Sequence, residues 1–220
     1  MKEQWSREQA QAWYEQKGWL CGFNYLPSTA VNWTDIWQEE TFDAATIERE
    51  LGWAADAGYN TLRINLPFIV WEHDRDGLMA RIDRFLTIAD GRGFSTMLTL
   101  MDDCGFSGDE PYLGPQKPPV PGKHNSKAAA TPGRDKASEP DSRPPTECYI
   151  RVVVRHFRAS HPLLPLIFTT LSRMLVELRC VDPAPHTSLQ GQRFDQSVTH
   201  AHHSATFLCP QTLPRRPCGH

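Results

Sequence analysis

Long apolar runs are missing from this sequence: nothing in its 220 residues approaches the roughly 20 consecutive apolar positions that a bilayer-spanning helix needs. The opening Met1-Lys2-Glu3-Gln4-Trp5-Ser6 also lacks the hydrophobic core of a signal peptide, so the chain as written reads as cytoplasmic, although relatives of such a chain are exported in some cases. Its cysteines (Cys21, Cys104, Cys148, Cys180, Cys209, Cys218) contain no C-x-x-C pair, which argues against both a zinc ribbon and a disulfide framework. Glycine is absent from Pro27 to Phe42, the turn after the first expected strand. The G-x-G-x-x-G of a dinucleotide site therefore has no place there.

What is present divides at the middle. Residues 1–110 hold all 7 Trp, 2 Pro, and 9 Lys and Arg against 19 Asp and Glu, a formal charge of −10. Residues 111–220 hold no Trp, 16 Pro, and 14 Lys and Arg against 7 acids, a charge of +7. The near-neutral total of −3 describes neither half.

The first half alternates helix and strand. Ser6 followed by Gln9 is a capping box, and helix formers run to Gln16 before Gly18. The apolar run Trp19 to Leu26 reads as a buried strand ending at Pro27. Asp43 is placed to cap a second helix whose Ile47, Leu51, Ala54 and Ala55 share a face, and Tyr59 to Leu66 follows as a second strand. Leu78, Ile82, Phe85, Leu86 and Ala89 mark a third helix, and Phe94 to Met101 a third strand. Such β-α-β crossovers demand parallel, adjacent strands. Of the two architectures built this way, the long Trp-bearing loop after the first strand favours the closed barrel over the doubly wound sheet. The fold class expected is α/β, the N-terminal portion of a (β/α)8 TIM barrel, incomplete, with an irregular C-terminal tail.

An ordered set of short motifs carries a resemblance. These are Trp19-Leu-Cys-Gly-Phe-Asn-Tyr-Leu-Pro-Ser-Thr-Ala-Val-Asn32, Trp37-Gln38, Thr41-Phe42-Asp43, Gly58-Tyr-Asn-Thr-Leu-Arg63-Ile, Leu100-Met-Asp102-Asp103-Cys104, Leu113-Gly114, Pro121-Gly122 and His124-Asn125-Ser126. Over about residues 5–126 the chain resembles the N-terminal part of bacterial glycoside hydrolases of clan A, closest to family 5, of cellulase or 1,4-beta-xylanase type. The resemblance implies a barrel that cleaves β-linked glycans with retention, with one Glu as acid/base after strand four and another as nucleophile after strand seven. Retention needs two carboxyl groups about 5 to 5.5 Å apart flanking the glycosidic bond. By resemblance the acid/base stands in Asn-Glu-Pro, and the one Glu-Pro here, Glu139-Pro140, follows Ser138 in a Pro- and Ser-rich stretch. No catalytic residue is assigned.

The matched part supplies candidate substrate-binding residues. The resemblance gives Arg63 the task of holding the nucleophile carboxylate ionised. Taken alone, it is a strand charge that needs an acid on a neighbouring strand. Asp102 and Asp103 end the third strand; adjacent strand residues point to opposite faces, so one at most faces inward and the other caps the next turn. His124 and Asn125 match a family motif whose side chains donate to sugar hydroxyls, or else form a solvated loop pair. Trp33, Trp37 and Trp71 follow the first two strands, where indoles stack on pyranose rings or cover the barrel end. The chain departs from the family pattern at Pro67, where His is usual, and at Gly105, where Trp is usual.

The second half breaks the alternation. Residues 127–146 read as a Pro/Ser-rich linker without regular packing, and residues 147–220 as an irregular tail in which Tyr149 to Phe157 forms a helix and Leu163 to Leu178 is apolar. His200, His202, His203, Cys209, Cys218 and His220 match no zinc spacing, so no metal is expected, nor any cofactor. From Cys180 onward there is no lysine and only two acids, a mixture that a reading-frame slip in GC-rich DNA produces. Reading the gene past about codon 158 in another frame is expected to restore family-like sequence. The 94 residues after Ser126 are too few to complete a barrel of about 250 residues. The functional expectation is a truncated, inactive relative of retaining glycoside hydrolases. The alternatives are a non-catalytic carbohydrate-binding remnant and a misread gene fragment. The expected partner is a β-linked oligo- or polysaccharide, with neither nucleic acid nor membrane.

Overall fold

The computed structural model describes residues 6–103 and 105–157. Three strands, β1 (Gly22–Asn24), β2 (Thr61–Asn65) and β3 (Ser95–Thr99), pair in parallel and in sequence order. The register sets Gly22 beside Thr61 and Ser95, and Asn24 beside Arg63 and Met97. The helices between them begin where the sequence places caps. In α1 (Arg7–Lys17) Ser6 and Gln9 form both halves of the capping box. Asp43 accepts from Thr46 N–H at 3.0 Å to open α3 (Ala44–Asp56), and Asp74 accepts from Gly77 N–H at 3.1 Å to open α5 (Arg75–Gly91).

Period decides the packing. Leu62, Ile64 and Leu98 share a sheet face and lie in one core with Ile47 and Leu51 of α3 and Leu78, Ile82, Phe85 and Leu86 of α5. Residues alternating with them along the strands, Asn24, Arg63 and Met97, are exposed or half-buried. Two short helices, α2 (Trp33–Trp37) and α4 (Phe68–His73), follow β1 and β2. By contrast α1 buries no residue, and Lys17 Nζ ties its end to Ser95 Oγ at 3.2 Å.

The first strand is shorter and more open than its apolar run implies. The Asn60 side chain accepts from Cys21 N–H at 2.8 Å and donates to Trp19 O at 2.8 Å. Those backbone groups thus leave the ladder, and β1 becomes a three-residue edge strand with Gly22 and Asn24 exposed.

The larger difference lies in residues 127–146. They form no loose linker. Ala128, Ala130 and Thr131 are buried, Thr131 exchanges backbone hydrogen bonds with Asp102, and α6 (Arg134–Ser138) and one 3-10 turn (Pro140–Ser142) follow. The prolines and Gly133 (φ +115°) set the corners of a packed path rather than breaking order. Next, α7 (Arg143–Phe157) begins four residues before residue 147, and Thr146, Tyr149, Ile150, Val153 and Phe157 form its buried stripe. Tyr149 donates its hydroxyl to Leu66 O at 3.1 Å, and full burial pushes its pKa well above the usual phenol range. No helix among the described residues is long and apolar enough to cross a membrane. The expectations for residues 163–178 and 180–220, including the His and Cys set, lie outside the described residues.

Candidate functional site

The C-terminal ends of the three strands gather the polar side chains. Asn65, the last residue of β2, is buried, and its amide nitrogen donates to the buried Asp102 carboxylate. The Asn65 carbonyl accepts from Trp37 Nε1 at 2.8 Å. Thr99 stands beside Asn65 in the register, and its hydroxyl, like Trp71 Nε1, is buried without a partner among the described residues. Asp102 and Asp103 lie beyond β3, which ends at Thr99, rather than ending it as expected; Asp102 is buried and pairs its backbone with Thr131, while Asp103 meets Arg134 Nε at 3.4 Å near the surface.

The tryptophans separate. Trp37 is fully enclosed, stacked on Phe42 at 6.0 Å and edge-on to Phe85 at 5.6 Å, so it is core and offers no face to a sugar. Trp71 is likewise covered, by Phe68 at 5.7 Å and Tyr149 at 5.4 Å, with the Arg75 guanidinium 5.6 Å from its ring. Both correct the reading of them as stacking platforms. In helices of five and six residues no period tells which side faces inward. Trp33 remains half-buried at the edge of the core.

Arg63 sits on β2 between Asn24 and Met97, half-buried, and pairs with no acid among the described residues. The strand-to-strand ion pair considered for it does not form there. His124 and Asn125 occupy an exposed turn; Asn125 takes φ +45° and its carbonyl accepts from Ala128 N–H at 2.9 Å, while the His124 ring stands 6.1 Å from Phe106. Glu139 is exposed at the turn between α6 and the 3-10 helix, where it lines a small cleft with Ile69 and Pro132.

At Gly105 a Cβ would stand 3.1 Å from Ala130 N, so the returning chain at Ala130 takes the space a larger side chain would use.

Sequence reasoning missed two amides that join the long loops. Asn32 and Gln38 flank α2 and are 6 % and 7 % exposed. Asn32 Oδ1 accepts from Asp35 N–H at 3.0 Å, while its Nδ2 donates to Gln116 Oε1 and Lys127 O, each at 2.9 Å. Gln38 engages both groups of one residue, donating to Gly114 O at 3.2 Å and accepting from Gly114 N–H. The loop after β1 is thereby joined to the loop after β3. The one signal available was Asn32 three residues before Asp35, the spacing of a helix cap.

No protein-family model, no curated protein and no solved structure matches this chain.

Proposed function

We propose that residues 6–157 are the first strand-helix units of a (β/α)8 barrel resembling clan A, family 5 glycoside hydrolases, and that their strand ends form one side of a cleft for a β-linked glycan. The observation that carries this reading is the parallel order β1-β2-β3 with both long strand-to-helix loops closing over the strand C-termini, where barrel enzymes bind substrate. Of the candidate residues on those loops, His124 and Asn125 are exposed and Trp33 is half-buried. Arg63, on the strand face opposite the core, is available to a carboxylate from outside the described residues.

The part described binds rather than cleaves. Double displacement needs two carboxylates about 5 to 5.5 Å apart; Asp102 is committed to Asn65, Asp103 to Arg134, and Glu139 is an exposed turn residue ahead of the 3-10 helix. Affinity electrophoresis of the purified chain through gels containing soluble cellulose derivative, xylan or galactomannan, beside a reducing-sugar assay, tests the reading. Retardation by one of these glycans without sugar release is expected. Unretarded migration through all three would overturn glycan binding, and release abolished by a Glu139→Gln substitution would overturn the non-catalytic assignment.

A further inference from the structure

The hydrogen bonds that hold the strand-end loops are distributed unevenly. The loop after β3 takes four side-chain bonds from two residues of the loop after β1, passing over β2: Asn32 to Gln116 and Lys127, and Gln38 twice to Gly114. Both amides are more than nine-tenths buried. Gln116 extends the set by donating to Tyr112 O at 3.0 Å and Gly114 O at 2.9 Å, and Ser126 accepts from Val120 N–H at 2.8 Å. Leu113 and Val120 of this loop are exposed, while Ala128 and Ala130 near its end are buried. These amides therefore hold the middle of the loop, and backbone bonds of Ala128 to Ser107 and Thr131 to Asp102 hold its end. Trp33 is one residue from Asn32, and Asn125 is two residues from Lys127, so the Asn32–Lys127 bond ties the backbone beside Trp33 to the backbone beside the His124-Asn125 turn.

We propose that Asn32 and Gln38 are positioning residues that bring Trp33 and the His124-Asn125 turn into one glycan-binding surface. This rests on the functional reading above. Neither amide touches the ligand; each acts by keeping two loops in register, so that a sugar meets a preset surface and spends no affinity on ordering it.

The side-chain chemistry offers a clean separation. Asn32→Asp keeps the oxygen that caps Asp35 N–H but replaces the donor to Gln116 and Lys127 O with an acceptor that repels that carbonyl. Gln38→Glu keeps the acceptor for Gly114 N–H and loses the donor to Gly114 O. Three measurements on the full chain and these variants decide the matter: amide exchange across residues 112–127, dissociation constants for the retarding glycan by affinity electrophoresis, and thermal melting. Expected for Asn32→Asp are faster exchange in that loop, affinity weakened about tenfold, and melting lowered by about 5–10 °C without loss of the fold, since two buried donor bonds are lost. In a His124→Ala background the same substitution is expected to cost much less than tenfold, because the surface it positions is already impaired. Faster exchange with unchanged affinity, or fully additive losses, would overturn the positioning role and leave glycan binding standing. A wild-type chain that no glycan retards would overturn the functional reading and this inference with it.

Discussion

In the strand-and-helix body the residues that hold the fold recur: Ile47 and Leu51 on α3, Leu78, Ile82 and Phe85 on α5, Leu62 and Ile64 on β2, all buried on one side of their element. In the loop that runs from β3 to α6 they do not recur. Asn32, Gln38, Gln116 and Ser126 each satisfy particular backbone groups, and no two share a period. The contrast is one of failure mode. Removing apolar volume from an interdigitated core leaves a cavity that neighbours cannot fill. Removing one buried amide leaves its backbone partners, such as Lys127 O or Gly114 N–H, unpaired at about 1–3 kcal/mol, a loss confined to the two loops it joins.

Substitutions rank accordingly. Trp37→Ala, which empties the space between Phe42 and Phe85 and strips Asn65 O of its donor, is expected to cost about 3–5 kcal/mol in urea unfolding. A cost no larger than that of a loop amide would break the comparison. Gly22→Ala comes next. Its Cβ would stand 2.4 Å from Thr61 O, and the resulting shift of β1 is expected to cost about 1–3 kcal/mol, read by the same unfolding midpoint.

A smaller effect is expected at the entrance of α5. The Arg81 guanidinium beside Asp74, together with the Gly77 amide, holds the Asp74 carboxyl below the usual carboxylate range. Being depressed in the folded state, this group contributes stability that is present above about pH 4 and is lost as pH falls through its folded value. Asp74→Asn retains a capping oxygen and removes the ion pair, half-exposed on the acid's side, so a loss of about 0.5–1 kcal/mol at pH 7 that vanishes in acid is expected from melting at several pH values. Smallest is Ser6→Ala. It removes the α1 cap, worth about 1 kcal/mol to the helix, yet α1 buries nothing, so exchange in residues 7–17 should rise while global melting stays put.

The same contrast explains what the sequence discloses. Caps at Ser6 and Asp43 and the stripes of α3 and α5 are local and periodic, and each of these elements forms where it was expected. The third strand stops at Thr99, short of Asp102 and Asp103, because the end of a strand carries no local signal as clear as a helix cap. Residues 127–146 misled because proline and glycine spell turns equally well in a loose linker and in a packed path. What distinguishes them is the approach of Ala130 to Gly105 and the backbone pairing of Thr131 with Asp102, and these are tertiary facts. Trp37 and Trp71 misled for want of period, and Asn32 and Gln38 were passed over because an isolated amide carries no sign of its distant partner.

The hydroxyl of Tyr149 meets the carbonyl of Leu66 across 83 residues of chain. At the pace of ribosomal synthesis, about 5–20 residues per second, that separation amounts to roughly 4 to 17 s. For the last 50 residues of that interval, after β3 ends at Thr99 and for roughly 2.5 to 10 s, a nascent body with its three strands already made holds Phe68 and Trp71 without the ring that later covers them. Its first opportunity for wrong association thus comes before α7 is made, at a place where the finished molecule shows no exposed aromatic surface. Conditions that slow elongation between codons 100 and 149 would lengthen that exposure while leaving the final stability unchanged.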